Sequence, residues 1–382
     1  MTSLIERASE YSPSHLLQKV LRTGNVRVAL NLLGPAMRGL VMHNGKQPSS
    51  DMQANHTVHF DWTYQRDQPE LRKLYELAKV SQWNATTDLD WSINVDPYDS
   101  RFDLFPERMS PLPDIPAYRG LSEHEKQTHR HGLVSWMLSQ FLHGEQGALF
   151  AACQVTEAIQ WLDGKLYGST QVVDEGRHVE VFYRYVHDKL GKLYSVNDNL
   201  FTLIDALMTD SRWDIKFLGM QIMIEGLALG AFTTLHNNTQ EPLLRKLLQY
   251  VIQDEARHVH YGVLALKEHF LHGLTDSERR EREDWAFEVA LLMRNRFMGH
   301  EVYEEMFEGQ MTRRQWNEFI TASPAMQRFR QQMFKRLIPN LNYIGLLSPR
   351  MQKHYEAAGL WQFASGKNAS ELNENDLLAD LQ

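Results

Sequence analysis

Six residues of this chain have the types and spacing to hold metal ions. Asp174-Glu175-Gly176-Arg177-His178 and Asp254-Glu255-Ala256-Arg257-His258 share the pattern D-E-x-R-H, and Glu145 and Glu225 each stand thirty residues before the glutamate of one copy. On a helix, Glu-x-x-His places a carboxylate and an imidazole on one face, one turn apart. All six positions, Glu145, Glu175, His178, Glu225, Glu255 and His258, obey a single repeat with an offset of 80. Four carboxylates and two imidazoles suit two divalent first-row ions, iron or manganese, better than softer metals. Glu145 follows Leu138, Phe141 and Leu142, and Glu225 lies among Ile222, Ile224, Leu227 and Leu229. Glutamates in such apolar surroundings need a compensating cation. A single Glu-x-x-His is commonly a solvated surface pair; the duplication with matched Asp and Arg is what separates this set from surface charge.

The elements that must position these residues are helical. Ser122/Glu125, Thr275/Glu278 and Thr312/Gln315 are capping-box patterns. Trp161–Lys165, with Gly164 as its turn residue, breaks the first long helix, and a second runs from near Gly168 to near Gly191. A third spans about Arg212 to His236, and Asn237–Pro242 leads into a fourth that continues to about His272. Each break falls midway between paired glutamates. Two antiparallel helices therefore each rise about 15 residues, roughly 22 Å, from the turn to the glutamate. Two such hairpins packed together bring all six side chains to one interior point.

Residues 1–120 hold closely spaced prolines (Pro106, Pro111, Pro113 and Pro116) and read as an extension wrapped on the core. Short helices are expected at 14–32 and 68–80, and a structured loop at Trp83–Trp91. The organisation expected is an N-terminal extension at 1–120, a helical metal domain at 121–340 and a C-terminal segment at 341–382 with a loosely ordered tail.

Composition sets outer bounds. The 382 residues are 43% hydrophobic and 23% charged, an ordinary globular balance. A net charge of -8, from 40 basic and 48 acidic residues, speaks against a general nucleic-acid binder. The single cysteine, Cys153, excludes an intrachain disulfide and a thiolate cluster, which fits a reducing cytoplasm. The N-terminus shows no signal-peptide pattern, and no uninterrupted apolar run is long enough for a membrane span. No Gly-rich dinucleotide fingerprint or P-loop is present, so electrons are expected from a separate reductase or ferredoxin.

Over about residues 130–300 the pattern resembles the ferritin-like carboxylate-bridged di-iron oxidases and oxygenases. Its D-E-x-R-H repeats look most like those of bacterial multicomponent monooxygenase hydroxylases. Acyl-carrier-protein desaturases, the ribonucleotide reductase small subunit and arylamine N-oxygenases share the plan more distantly. The resemblance implies an all-α fold: a ferritin-like four-helix bundle with extra C-terminal helices and an irregular N-terminal extension. It implies two iron ions, with manganese admitted at one or both positions, and dioxygen as co-substrate. Asp174 and Asp254 would accept the free N–H of the histidine ligands, and Arg177 and Arg257 would pair with those aspartates across the bundle. Bundles of this class often dimerise, which admits a homodimer.

Phe141, Leu149, Gln171, Phe182, Gln221 and Leu229 lie within one turn of the ligand positions and are the candidates to line a substrate pocket. The small residues Gly144, Gly147, Ala148, Gly226, Ala228 and Gly230 suit either a cavity or close helix packing. Three positions depart from the relatives. Leu229 replaces the threonine of the hydroxylases, and Phe182 the radical tyrosine of the reductase subunit. Val251 replaces the third histidine of the arylamine N-oxygenases, so no seventh ligand is expected there. The expected function is oxygenation of a small, largely apolar or aromatic metabolite, free or carrier-bound. Desaturation or oxidation without oxygen insertion, and N-oxygenation, are the alternatives, ahead of a non-catalytic metal-binding role.

Overall fold

The structure, a computed structural model, describes residues 22–99 and 104–372. Helices dominate throughout, and no strand occurs among the described residues. The twelve helices used below are α1 Val26–Ala36, α2 Pro69–Val80, α3 Glu123–Ala158, α4 Leu162–Arg184, α5 Asp198–Thr209, α6 Trp213–Asn238, α7 Pro242–Glu268, α8 Asp276–Arg296, α9 His300–Met306, α10 Arg313–Ala322, α11 Pro324–Tyr343 and α12 Pro349–Ala357. The core is a four-helix bundle. The long helix α3 packs along α4, the second half of α6 packs along α7, and the two hairpins pack on each other.

Local chemistry explains the helix ends. Ser122, Thr275 and Thr312 each form the anticipated capping box, opening α3, α8 and α10. Pro242 fills the first turn of α7, where its missing N–H costs nothing, while the Glu241 carboxylate accepts from the backbone N–H groups of Leu243 and Leu244. Gly191, at φ 65°, takes the left-handed conformation that ends the turn following α4.

The hairpin turns differ from the sequence expectation in one place. α3 and α4 are joined by residues 159–161, and Gly164 lies buried inside α4. Its value there is closeness: an added Cβ would come within 2.7 Å of Ile159, and its carbonyl accepts from the Tyr261 hydroxyl. The shift makes the geometry more regular. Glu145 stands 13 residues before the end of α3 and Glu175 stands 13 residues after the start of α4; the same count separates Glu225 and Glu255 from the ends of α6 and α7. All four glutamates therefore stand about 20 Å from their turns.

Around the bundle, α2 lies across α4 and α7, α8 packs on α5 and α6, and α11 runs along α6. Gly230 and Gly226 face α11: a Cβ on Gly230 would meet the Met333 backbone at 2.7 Å, and one on Gly226 would meet Leu337 at 3.6 Å. Gly147 likewise lies against Ile204. Close helix packing, not an opened cavity, accounts for these three small residues.

The helix expected over 14–32 begins at Val26 and continues to Ala36; positions 14–21 of that expectation lie outside the described residues. Residues 365–372 of the expected loose tail are ordered by a capping box on Asn368 and by a hydrogen bond from the Ala369 N–H to Asn340 Oδ1, and the remainder lies outside the described residues. α6 is long and apolar enough to cross a membrane, with mean hydropathy 1.4, but 94% of that window is buried inside the protein. Its hydrophobicity is spent on the bundle core.

Candidate metal centre

Each hairpin delivers its glutamate and its Glu-x-x-His pair to the same level of the bundle, and all six side chains are buried. Their ligand atoms form two overlapping groups, each lying within 4.8 Å: Glu145, Glu175, His178 and Glu255, and Glu175, Glu225, Glu255 and His258. Glu175 and Glu255 belong to both. The centre thus follows the 80-residue repeat, with one Glu/His pair private to each side and two shared carboxylates between them.

The imidazoles present Nδ1 to the carboxylates. His178 Nδ1 lies 3.1 Å from Glu145 Oε2 and 3.1 Å from Glu255 Oε1; His258 Nδ1 lies 3.1 Å from Glu175 Oε1. The opposite nitrogens reach across the bundle, His178 Nε2 to Asp254 Oδ2 at 3.1 Å and His258 Nε2 to Asp174 Oδ2 at 3.3 Å. A carboxylate on Nε2 fixes the tautomer that leaves Nδ1 free to ligate. Each repeat therefore orients the histidine of the other.

Arg177 and Arg257 bond most closely to the aspartate three residues earlier on their own helices. Their contacts across the bundle are longer, Arg177 to Asp254 at 3.5 Å and Arg257 to Asp174 at 3.8 Å. The reason is helical: three residues is one turn, and the short Asp side chain is met before the arginine can extend.

Electrostatics identify what the cluster calls for. Burial, then the charge of Glu255, pushes the Glu145 carboxyl up to about 8, and the same two causes hold Glu225 well above the usual carboxylate range. Burial alone would lower both imidazoles, yet the surrounding carboxylates outweigh it and raise His178 and His258 well above normal. Glu175, despite burial, is held low chiefly by His258 and His178. The cluster concentrates buried negative charge that two divalent cations would balance. Glu175 Oε2, Glu225 Oε1 and Glu255 Oε1 are buried and accept no hydrogen bond. Unmatched buried carboxylate oxygens at this density fit a pair of metal ions.

The six pocket candidates separate into different roles. Gln171 and Gln221 are fully buried and hydrogen-bond each other through reciprocal amide contacts of 3.1 Å, and Gln171 also donates to Glu175 Oε1 at 3.0 Å. Phe141 and Phe182 form an aromatic group with Phe232, the Phe141–Phe232 rings meeting edge to face at 4.7 Å. Leu229 is buried and Leu149 half-buried. Of the six, Phe141 lines a cavity of about 40 Å³, enclosed by residues including Trp136, Met137, Arg296, Tyr303 and Phe329.

Two participants carried no sequence signal. Trp83, from the loop after α2, donates its indole N–H to Asp254 Oδ2 at 2.8 Å. Gln82 donates to Asp174 Oδ1 at 3.3 Å and accepts from Arg177. Both aspartates that contact the histidines are thus themselves contacted by residues 82–83, just after α2. Only the packing of α2 over α4 and α7 brings residues 82–83 there.

A four-helix bundle carrying four carboxylates and two imidazoles at its centre defines a ferritin-like di-iron protein. The family described as P-aminobenzoate N-oxygenase AurF matches residues 65–345, almost three quarters of the chain, and the chain belongs to that family of di-iron oxygenases. No curated protein matches it. The match falls among the arylamine N-oxygenases, yet Val251, fully buried one turn before Glu255, stands where those relatives carry a third histidine.

Proposed function

We propose that the chain oxygenates a small aromatic amine or a related aromatic metabolite, with N-oxygenation the preferred outcome. The observation that supports this is the pair of overlapping carboxylate–imidazole groups sharing Glu175 and Glu255, in a chain of the P-aminobenzoate N-oxygenase family. In this reading Glu145 and His178 would hold one iron and Glu225 and His258 the other, with Glu175 and Glu255 available to both. Two irons held there would supply reductive activation of dioxygen, with electrons from an external donor and a small molecule as substrate.

The chain's own residues do the rest. Asp254 and Asp174 keep the histidine tautomers fixed, and Gln171 restrains the Glu175 carboxylate. Phe141, Phe182 and Phe232 wall the Glu145 side with aromatic surface and keep bulk water from it. Leu229 offers no hydroxyl for proton delivery, so protons must reach the centre through carboxylates or ordered water. Val251 leaves a six-residue ligand set.

The test is turnover of 4-aminobenzoate by the iron-loaded protein under labelled dioxygen with a chemical reductant. Label on nitrogen in the product supports the reading. Label on a ring carbon moves the assignment to hydroxylation, and hydrogen loss without label moves it to oxidation.

A further inference from the structure

Gln171 and Gln221 each stand four residues before a glutamate of the centre, Glu175 and Glu225, and both side chains are fully buried. The 80-residue repeat supplies the comparison. Gln221 is the counterpart of Phe141, four residues before Glu145, and Gln171 is the counterpart of Val251, four residues before Glu255. The positions one turn before the four glutamates thus hold two apolar and two amide side chains. Phe141 and Val251 are buried as well, so these places in the bundle accept apolar groups. Burying two primary amides there costs desolvation that only their hydrogen bonds offset.

Those hydrogen bonds run outward from one carboxylate. An ionised glutamate only accepts, so Gln171 must turn its amide nitrogen toward Glu175 Oε1, at 3.0 Å. Gln171 Nε2 also meets Gln221 Oε1, and Gln171 Oε1 accepts from Gln221 Nε2, both at 3.1 Å. The backbone brings the second glutamine in. Gln221 lies in the π-helical stretch Leu218–Ile224, a local widening frequent at functional sites. It packs on Gly262, where an added Cβ would collide with Gln221 Cβ. The repeat counterpart of Gly262 is Phe182, which meets Phe141 edge to face at 6.0 Å. One hairpin therefore carries a phenylalanine pair where the other carries Gln221 and Gly262. Among the described residues, Glu175 is the one glutamate of the four that accepts a hydrogen bond from outside the six-residue cluster.

We infer that Gln171 and Gln221 are positioning residues: the amide pair holds the Glu175 carboxylate in one orientation before metal enters, while Glu255, the other shared carboxylate, stays free to rotate. The hydrogen bond takes Glu175 Oε1 and leaves Oε2, which accepts none, as the free donor atom. A buried network whose members fix one another is rigid. A ligand already held in place loses less side-chain freedom when the ion arrives, which raises affinity. The duplicated ligand set is thereby made unequal by residues that do not themselves repeat. The inference rests on the di-iron reading of the site.

The test joins crystal structures of the metal-free, ferrous and ferric protein to an anaerobic iron titration of the unaltered chain, Gln171→Leu, Gln221→Leu and Gln221→Glu. In the unaltered protein Glu175 should keep one side-chain conformation in all three states, and Glu255 should change between them. Gln171→Leu and Gln221→Leu should each bind iron about tenfold or more weakly, the usual cost of losing a partner that orients a ligand. Gln221→Glu keeps an acceptor for the Gln171 amide and should recover most of that affinity, which a purely space-filling role would not predict. A Glu175 that reorients, or a Glu255 that never does, overturns the inference and needs no variant to fold. Unchanged iron affinity in a folded Gln171→Leu protein overturns it as well. Full iron with a reorienting Glu175 sinks this inference alone, whereas no iron uptake by the unaltered protein sinks the di-iron reading and this inference with it.

Discussion

His178 Nε2 lies 3.1 Å from Asp254 Oδ2, so a histidine of the first repeat is oriented by an aspartate of the second. The reverse pair, His258 with Asp174, closes the exchange at 3.3 Å. Asp254 also accepts the Trp83 indole N–H. Asp254→Asn replaces one acceptor oxygen with a donor facing these N–H groups. Iron affinity should fall about 10- to 100-fold, the usual effect of losing a partner that orients a ligand. An anaerobic iron titration checks this, and unchanged affinity would remove the cross-repeat role.

The shared and private carboxylates should separate by stoichiometry. Glu175 belongs to both ligand groups and Glu145 to one. Glu175→Ala is expected to empty both sites, whereas Glu145→Ala should retain one iron per chain. Metal analysis of the folded variants decides it. Equal loss in the two would mean that the centre is not divided as the distances suggest.

Two glycines on facing hairpins should respond oppositely to the same substitution. Gly230→Ala drives a methyl group into the backbone of α11 at Met333 and should cost about 1–3 kcal/mol. Gly144 has nothing within 4 Å of its Cβ position, so Gly144→Ala should stabilise by roughly 0.5–1 kcal/mol through helix propensity. Urea unfolding of both variants reads the contrast directly.

Asp214 anchors α6 to α8 through Arg282 at 2.8 Å and approaches His269 at 3.5 Å. Burial would raise its carboxyl, but those two partners prevail and hold it at about 2. A folded-state value below the unfolded value of 3.8 means stability that is present above pH 3.8 and lost as pH falls toward 2. The contribution is about 2 kcal/mol at neutral pH, taking about 1.4 kcal/mol per unit. Asp214→Asn should therefore be less stable at neutral pH, and its stability should depend less steeply on pH between 4 and 2. Parallel acid limbs for the two proteins would contradict the assignment.

Much of the centre could be read from the chain because helices translate spacing into position. Glu-x-x-His fixes one face, and a turn midway between two glutamates fixes one level; both follow from 3.6 residues per turn and a 1.5 Å rise. The duplication at an offset of 80 supplied the rest of the six-residue pattern. What spacing cannot encode is which side chains meet across the bundle. Trp83 and Asp254 are 171 positions apart, and no periodicity links them. Gln171 and Gln221 satisfy each other because α4 and α6 approach at that level, where a π-helical stretch, Leu218–Ile224, sits immediately before Glu225. Tyr303 and Phe141 likewise line one cavity only because α9 packs against α3. The types of the clustered side chains, their levels in the bundle and their twofold repeat were legible in the sequence, since these are properties of single helices. Only the tertiary structure set the cross-repeat histidine partners and the close approach at Gly230, because both depend on contacts between helices far apart in the chain.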